Sequence, residues 1–563
     1  AATAELLAGR YAALGCQWPV RDPGALFPSD LWRLDPVTQT LWPGHGTYAF
    51  DIDFRHDGTR GDVKYVWEIN RLQFLPVLAA HHLLEGDPAS LSAIEAALTS
   101  WYEANPPFGG VGWASGIEVA LRAISLILTL NMLGDQLSAV SRDKIGQILS
   151  ASAFWLPRFP SRFSSANNHL VAELAGEYLI GRALGHGTDR PWQQLLAELD
   201  KQILPDGSGA EQTPTYAAFT AELVLLSALA ARETATPLPQ PAAQRLAAFA
   251  DFIAWLGPRA EFGDNDEGRV VTLLDETDYP SSVAAAVAGF AGKPSPVEPT
   301  DDFRGLISGT PPAVLPQPAG LQCFAAGGLS VWRGEMAGHQ VALRFDHGPL
   351  GYLSIAAHGH ADALSLTLDI DAQPVLVDPG TYLYGSGGAW REWFRSTPAH
   401  NTLNLEAQSQ STMSGAFNWS HKAWTRLLEQ SPSADWSLTA EHDGYERRFG
   451  ARHRRQLRRD GHSIIIHDCL IGTARNAEIV FQLAVGLDAE RNANVVTASR
   501  NGMPLLRITL PDGNATIDAG GDLPGPGGWV SPRFGVKHPA PRVAWRGRVD
   551  AGGVVSILSV LQH

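Results

Sequence analysis

The chain has 563 residues, 45% hydrophobic and 18% charged, with 17 Trp and 21 Phe, enough apolar material for a large core and too much for a disordered chain. Lys plus Arg is 43 and Asp plus Glu is 58, and the resulting net charge of −15 excludes a whole-chain basic surface for nucleic acid or an anionic membrane. At this length about two to four domains are expected.

The chain opens AATAELLAGRYAAL, without an initiator Met or a basic-then-apolar leader, as expected where a leader has been removed or trimmed. No stretch approaches the ~18 consecutive apolar residues of a membrane span, so none is expected. Cys16, Cys323 and Cys469 are too far apart for a disulfide framework or a zinc knuckle, and are expected to be small buried hydrophobes.

From residue 60 to about 290 apolar residues recur at three and four positions, as in Trp67, Leu72, Leu75, Leu78 and in Ile117, Leu121, Ile124, Leu128. This is the helical period, broken by Gly- and Pro-rich loops such as NPPFGGVG (105–112) and LPDGSG (204–209). Helical hairpins in such a run must wrap into a bundle, solenoid or toroid to cover their apolar faces. Residues 294–318 hold seven prolines, a density that predicts a linker without helix. Beyond it the period becomes two: LSLTLDI (364–370), HNTLNLEA (400–407) and HSIIIHDCL (462–470) read as strands, with a tight hairpin at Asp460-Gly461. The expected organisation is therefore an α-helical domain over 1–293, a Pro-rich linker over 294–318, and an antiparallel β-sandwich over 319–563.

Polar chemistry concentrates in HGHADALSLTLDIDAQPVLVDPGTYLYGSGGAWREWFRSTPAHNT (358–401 and the Thr that follows). On a strand, His358 and His360 would point the same way. Asp378 and His400 come from neighbouring segments, so two imidazoles and a carboxylate could make a three-ligand zinc site with a position left for water. Histidines two apart also occur on ordinary surfaces and in cores. Three further patches lie in the helical half: Glu68, Asn70 and Arg71; Asn167, Asn168 and His169; and Glu211, Gln212 and Tyr216. Taken singly, each is equally explained by helix capping and inter-helix hydrogen bonds.

Together these patches resemble the heparinase II/III-type polysaccharide lyases, related also to the oligoalginate lyases. The resemblance runs through WEINR, GWASGIEVALRA (112–123), NNH, DGSGAEQTPTY and GDND (263–266), and is most specific in the HGHADAL, VDPGTY and WFRSTPAHNT series. It implies an α+β multidomain fold, an N-terminal incomplete (α/α) toroid followed by a C-terminal antiparallel β-sandwich. It also implies a divalent metal on His360, Asp378 and His400, catalytic roles for Tyr216 and His358, and a uronate-facing pair in Asn168 and His169. Arg71, Glu211, Gln212, Arg395 and Asn167 are implied substrate-binding residues. Two nitrogen ligands of three favour a structural zinc over calcium.

The implied reaction is β-elimination in a uronic-acid polysaccharide, giving 4,5-unsaturated products: a base takes the C5 proton and an acid protonates the leaving O4. Neutral donors such as Asn168 can spread the charge that develops on the carboxylate. Tyr216 would serve as proton shuttle if neighbouring cations lower its pKa, with His358 completing the pair. The net charge of −15 favours a low-sulfate or unsulfated member of the glycosaminoglycan-like polymers (heparan sulfate or heparin, hyaluronan, chondroitin). The basic run RHRRQLRR (452–459) is expected to be a solvated strand face. The alternatives are an exo-acting oligoalginate or glucuronan lyase, metal-assisted hydrolysis, and a silent carbohydrate-binding protein of the same fold. The expected partner is thus an acidic poly- or oligosaccharide, with no nucleic acid, no membrane span and no oligomeric state assigned. A periplasmic or secreted location is expected, with the cytoplasm as the alternative.

Overall fold

Apolar spacing of three and four does build helices, and their alternation between fully and partly buried sequences decides how they wrap. A computed structural model describes residues 2–54, 59–233, 236–272, 278–299, 303–522 and 527–562. After a short α1 (Ala2–Leu7) come α2 (Val63–Asn70), α3 (Phe74–Glu85), α4 (Pro88–Ala104), α5 (Gly116–Leu133), α6 (Ala139–Trp155) and α7 (Asn168–Leu184). Then follow α8 (Asp189–Gln202), α9 (Pro214–Arg232), α10 (Gln240–Leu256), α11 (Tyr279–Ala291) and α12 (Phe303–Ser308). Helices α3, α5, α7, α9 and α11 pack in succession as an inner ring, with α4, α6, α8 and α10 outside, which is an incomplete (α/α) toroid. The inner helices are apolar nearly all round, as burial on every side demands. Gly116–Gln136 and Pro214–Arg232 are long and apolar enough to cross a membrane, but 78% and 89% of their apolar windows are buried inside the toroid.

The prolines of 294–318 do not exclude helix as expected. They cluster at both ends and leave 303–308 free of proline, and α12 forms there; residues 300–302 of the linker lie outside the described residues.

After a small N-terminal hairpin, β1 (Ala12–Ala13) and β2 (Cys16–Gln17), the strands begin at Gly320. An antiparallel meander joins β3 (Gly320–Phe324), β4 (Leu329–Met336), β5 (His339–Asp346), β6 (Leu366–Ile370) and β7 (Gln373–Leu376). The later strands form antiparallel sheets that share one apolar core with this meander, centred on Phe345, Leu368, Leu403, Ile466, Phe481 and Leu558. Strands 451–460 and 463–472 pair from Asp460 to Ser463, so the hairpin loop is Gly461-His462, one residue later than expected. The basic strand alternates as a half-buried strand must. Arg452, Arg454 and Arg458 point outward, but Arg455 is buried, paired through Nε and Nη2 with Asp468 at 2.7 and 3.0 Å. The solvated-face reading therefore fails at Arg455. Of the cysteines, Cys469 is buried and the other two are half-buried; all are free.

Candidate active site

The candidate side chains sit where an inner helix begins, in the toroid loop that carries Asp264, or where a sandwich loop reaches over that end of the toroid. Asn167 caps α7, its Oδ1 accepting from the His169 N–H at 3.3 Å, and this places Asn168 and His169 in the first turn. Pro214 opens α9, so Tyr216 also lies in a first turn. From the sandwich, the loop after β5 carries His358, His360 and Asp362. The long connection after β7 carries Asp378, Tyr384, Arg391 on α13 (Ala389–Phe394), and His400. His358 and His360 are therefore not on a strand, and the metal candidates lie in loops instead of strands as expected. They share a direction because both bond one carboxylate.

That carboxylate is Asp264, of GDND. His358 Nδ1 lies 3.1 Å from its Oδ2 and His360 Nε2 3.0 Å from its Oδ1, while Arg391 bonds both oxygens, at 2.7 Å through Nη2. Gly263 is in the left-handed region (φ +64°), and a Cβ there would press on the backbone oxygens of Gln212 and His358. Burial alone would raise the Asp264 carboxyl, but Arg391 and the two imidazoles outweigh it and hold it well below the usual range. An ionised Asp264 accepts only, so both histidines donate to it, and a neutral imidazole there has its lone pair on the second nitrogen. For His358 that nitrogen is Nε2, 3.7 Å from Glu211 Oε2.

The His358 ring lies against Tyr216, centroids 4.1 Å apart, and the Tyr216 hydroxyl is 2.7 Å from that of Tyr384. Glu211 in turn accepts from Asn168 Nδ2 at 3.0 Å to each oxygen, from the Asn168 N–H at 3.1 Å and from Asn167 Nδ2 at 3.2 Å. Tyr216, His358, Asn168 and Asn167 thus meet in one buried cluster. His169 stands beside it, and burial with the neighbouring His358 pulls its pKa down to about 4, so it is a neutral group. The condition set for Tyr216, that neighbouring cations lower its pKa, is not met: Arg391 lies within electrostatic reach, but burial and the charges of Asp266 and Asp264 raise its pKa well above the ordinary value. Its hydroxyl keeps its proton, which suits an acid and not a base.

The neighbouring cluster can hold a metal ion. One donor atom each from His360, Asp362, Asp378 and His400 lie within 4.8 Å of one another. His400 Nδ1 donates to the Ser396 carbonyl at 2.8 Å and His360 Nε2 to Asp264, which leaves His360 Nδ1 and His400 Nε2 as lone pairs facing each other at 3.2 Å. Two facing acceptors repel unless a cation lies between them. Asp378 Oδ2 is 3.4 Å from the same His400 nitrogen, and burial with the charge of Asp362 raises the Asp378 carboxyl well above its usual range. The donor set fits a divalent cation, and Asp362 joins the three expected residues in the cluster.

The implied substrate-binding residues fare unevenly. Arg71 is buried near the cluster, tied to Glu118 at 2.7 and 2.9 Å and to Glu68 at 2.8 Å. Gln212 turns away, donating to the Gly327 carbonyl at 3.1 Å, and so joins toroid to sandwich. Arg395 is wholly buried, its guanidinium 4.4 Å over the Trp419 ring and bonded to the Gly415 and Ala416 carbonyls, so it braces a hairpin where a substrate contact was expected. Four residues of the cluster, Asp264, Asp362, Tyr384 and Arg391, had no role assigned from sequence, although Asp264 lies in a quoted motif and Asp362 two residues beyond His360. A cavity of about 930 Å³ lies elsewhere, between residues 27–47 and α4. Among its lining residues Asp30, Glu95 and Glu103 outnumber Arg33, which does not suit an acidic sugar.

Residues 316–557 match the family model described as heparinase II/III-like, C-terminal. The match covers 242 of the 563 residues and is a likeness of this part of the chain. The whole chain is similar in fold to a crystal structure of heparinase III, with a TM-score of 0.70 at 15% identity over 91% of this chain and 79% of that one. It is similar also to heparan sulfate lyase HepC from Pedobacter heparinus, with a TM-score of 0.60 at 17% identity over 100% and 82%. The heparinase III-BT4657 gene product gives 0.63 at 15% identity over 92% and 81%. No curated protein matches the chain. Within the matched residues 316–557 lie His358, the four metal candidates, Tyr384 and Arg391, while Tyr216, Asn168 and Asp264 come from the toroid, so the cluster straddles both.

Proposed function

We propose that the chain is a polysaccharide lyase that cleaves a uronic-acid polymer by β-elimination. The observation that carries this reading is the convergence of Tyr216 and His358, rings 4.1 Å apart, beside neutral amide donors held by Glu211. His358 Nε2, with its lone pair, takes the C5 proton. The Tyr216 hydroxyl, kept protonated by its surroundings, gives a proton to the leaving O4. Asn168 turns toward the sugar carboxylate when substrate displaces its bonds to Glu211, and stabilises the charge that grows as C5 loses its proton; one such donor supplies about 3–4 kcal/mol. Three cations near the cluster already have a carboxylate: Lys64 with Asp266 at 2.8 Å, Arg71 with Glu118, Arg391 with Asp264. A site so neutralised suits an unsulfated or sparsely sulfated uronate better than a heavily sulfated one.

The metal that fits His360, Asp362, Asp378 and His400 is zinc, because two donors are imidazole nitrogens and two are carboxylates. It would neutralise the buried carboxylates and brace the loop that carries His358; it is given no part in the proton transfers. Polymeric substrates do not cross membranes unaided, which supports a periplasmic or secreted location.

The test is ultraviolet absorbance on incubation with glucuronans, unsulfated and sulfated glycosaminoglycans and alginate. Growth of the band of a C4=C5 bond conjugated with a carboxylate is expected, greatest on an unsulfated polymer. Reducing ends that accumulate without that band point to hydrolysis. Saturable binding without product, unaltered by Tyr216→Phe, identifies a silent carbohydrate-binding protein.

A further inference from the structure

Between α6 and α7 the chain crosses the face of the toroid on which the cluster lies, with the sequence FWLPRFPSRF (154–163). Crossings of this kind are ordinarily polar. Here Phe154, Phe159 and Phe163 are 48%, 41% and 90% exposed, with Arg158 and Arg162 exposed among them. Phe50, 46% exposed, stacks on Trp155 at 5.8 Å and meets the Phe159 ring at 4.6 Å; Tyr48 lies 5.4 Å from Phe50. Tyr48, Phe50 and Phe159 thus form a contiguous aromatic surface left in water, a feature that marks binding sites, and Phe163 adds an exposed ring four positions further along the chain.

The crossing is also held in place. The Ser161 N–H and hydroxyl donate to Glu173 of α7 at 2.6 and 2.7 Å, fixing the segment to the helix that begins at Asn168. Phe163 has φ +57°, a left-handed backbone that a bulky residue rarely adopts, and it presents the ring to solvent. The four residue steps from Phe163 to Asn167 span at most ~14 Å, so the ring stands within a few sugar units of the reacting centre. The charge matches too. In a chain of net charge −15, the segment 154–163 contains two arginines and no carboxylate.

We propose that Phe159, Arg162 and Phe163 form a distal subsite that holds sugar units of the acidic polysaccharide beyond the one cleaved. The aromatic rings stack on pyranose faces and Arg162 pairs with a uronate carboxylate, so the subsite sets a preference for longer chains. The proposal rests on the uronate-lyase reading and extends it along the polymer.

The experiment compares kcat and KM of wild type, Phe163→Ala, Arg162→Ala and Phe163→Trp on a short and a long oligosaccharide of the unsulfated glucuronate–N-acetylhexosamine type. Phe163→Ala and Arg162→Ala are expected to raise KM about tenfold on the long chain with kcat nearly unchanged, to cost much less on the short chain, and Trp is expected to restore binding. Equal losses at both lengths, or no loss on the long chain, overturn the proposal. Melting temperatures, expected unchanged for so exposed a ring, separate binding from folding. Affinity for the long chain, measured in a Tyr216→Phe background, reads the subsite without turnover. If wild type eliminates no uronate polymer, the lyase reading fails, and loss of that affinity in Phe163→Ala still upholds the ledge as a sugar-binding surface. Unchanged affinity removes it.

Discussion

Tyr216 and His358 lie ring to ring at 4.1 Å with planes tilted by 33°, although one belongs to a helix of the toroid and the other to a loop of the sandwich 142 residues later. The junction of the two halves is thus where the proposed acid and base meet. In the proposed reaction, replacing either group on its own would remove one proton transfer and leave the other.

Tyr216→Phe and His358→Ala are each expected to lower kcat by about 10²–10⁴ while substrate affinity stays within a few-fold. Asn168→Ala is expected to lower kcat by about 10²–10³, as loss of one donor to a developing charge does. Tyr384→Phe removes only the partner of the Tyr216 hydroxyl, so its loss is expected to be smaller. Steady-state kinetics with Kd from calorimetry decide this; a large change in Kd with kcat intact reverses the role assigned to Tyr216.

Asp264 is the hinge of the buried network, and its removal leaves Arg391 as an unpaired buried charge. Asp264→Ala is expected to cost about 3–5 kcal/mol in urea unfolding. Asp264→Asn with Arg391→Gln is expected to cost less than the sum of the two single changes, because no orphan charge remains. Additive losses would show that the pair is not coupled.

Zinc bound at the four-residue cluster is expected to stabilise the sandwich by mass action. Chelation should lower the melting temperature, added zinc should restore it, and elemental analysis should find zinc in the purified chain. Asp362→Ala, like Asp378→Ala and His360→Ala, is expected to lose metal and melt earlier. Full metal content in the Asp362 variant removes it from the ligand set.

Glu173 links the aromatic ledge to α7, and burial raises its pKa from 4.5 to about 7. The folded state therefore holds this proton more tightly than the unfolded chain does. Its contribution is present below pH 4.5 and is lost as pH rises through about 7, up to about 3 kcal/mol in all. Glu173→Gln is expected to flatten this decline of stability between pH 4.5 and 7, measured by urea unfolding at several pH values. An unchanged slope shows that Glu173 does not hold a proton in the folded state.

Both halves of the fold were legible because period is a local property: 3.6-residue recurrence up to about 290 and two-residue alternation after 320 follow from which face each element buries. The proline-rich segment misled at 303–308 because proline acts only at its own position and on its neighbours. His358, His360, Asp378 and His400 were legible as chemistry-bearing residues, yet their placement on strands was not, since a loop reaching a shared carboxylate has no periodic signature. Arg395 and Gln212 carry the right side chains for binding a sugar acid, and only packing shows them engaged with backbone carbonyls.

The sequence by itself determined the architecture and the list of reactive side chains, since both depend on residue type and near-neighbour pattern. Tertiary structure alone decided which of those side chains meet. Asp264 bonds His358 and His360 from about a hundred residues away, and buried carboxylates around Tyr216 keep its proton on. Such pairings arise from the fit of toroid to sandwich, and in a dry interior a charge a few ångströms away outweighs whatever the neighbouring letters suggest.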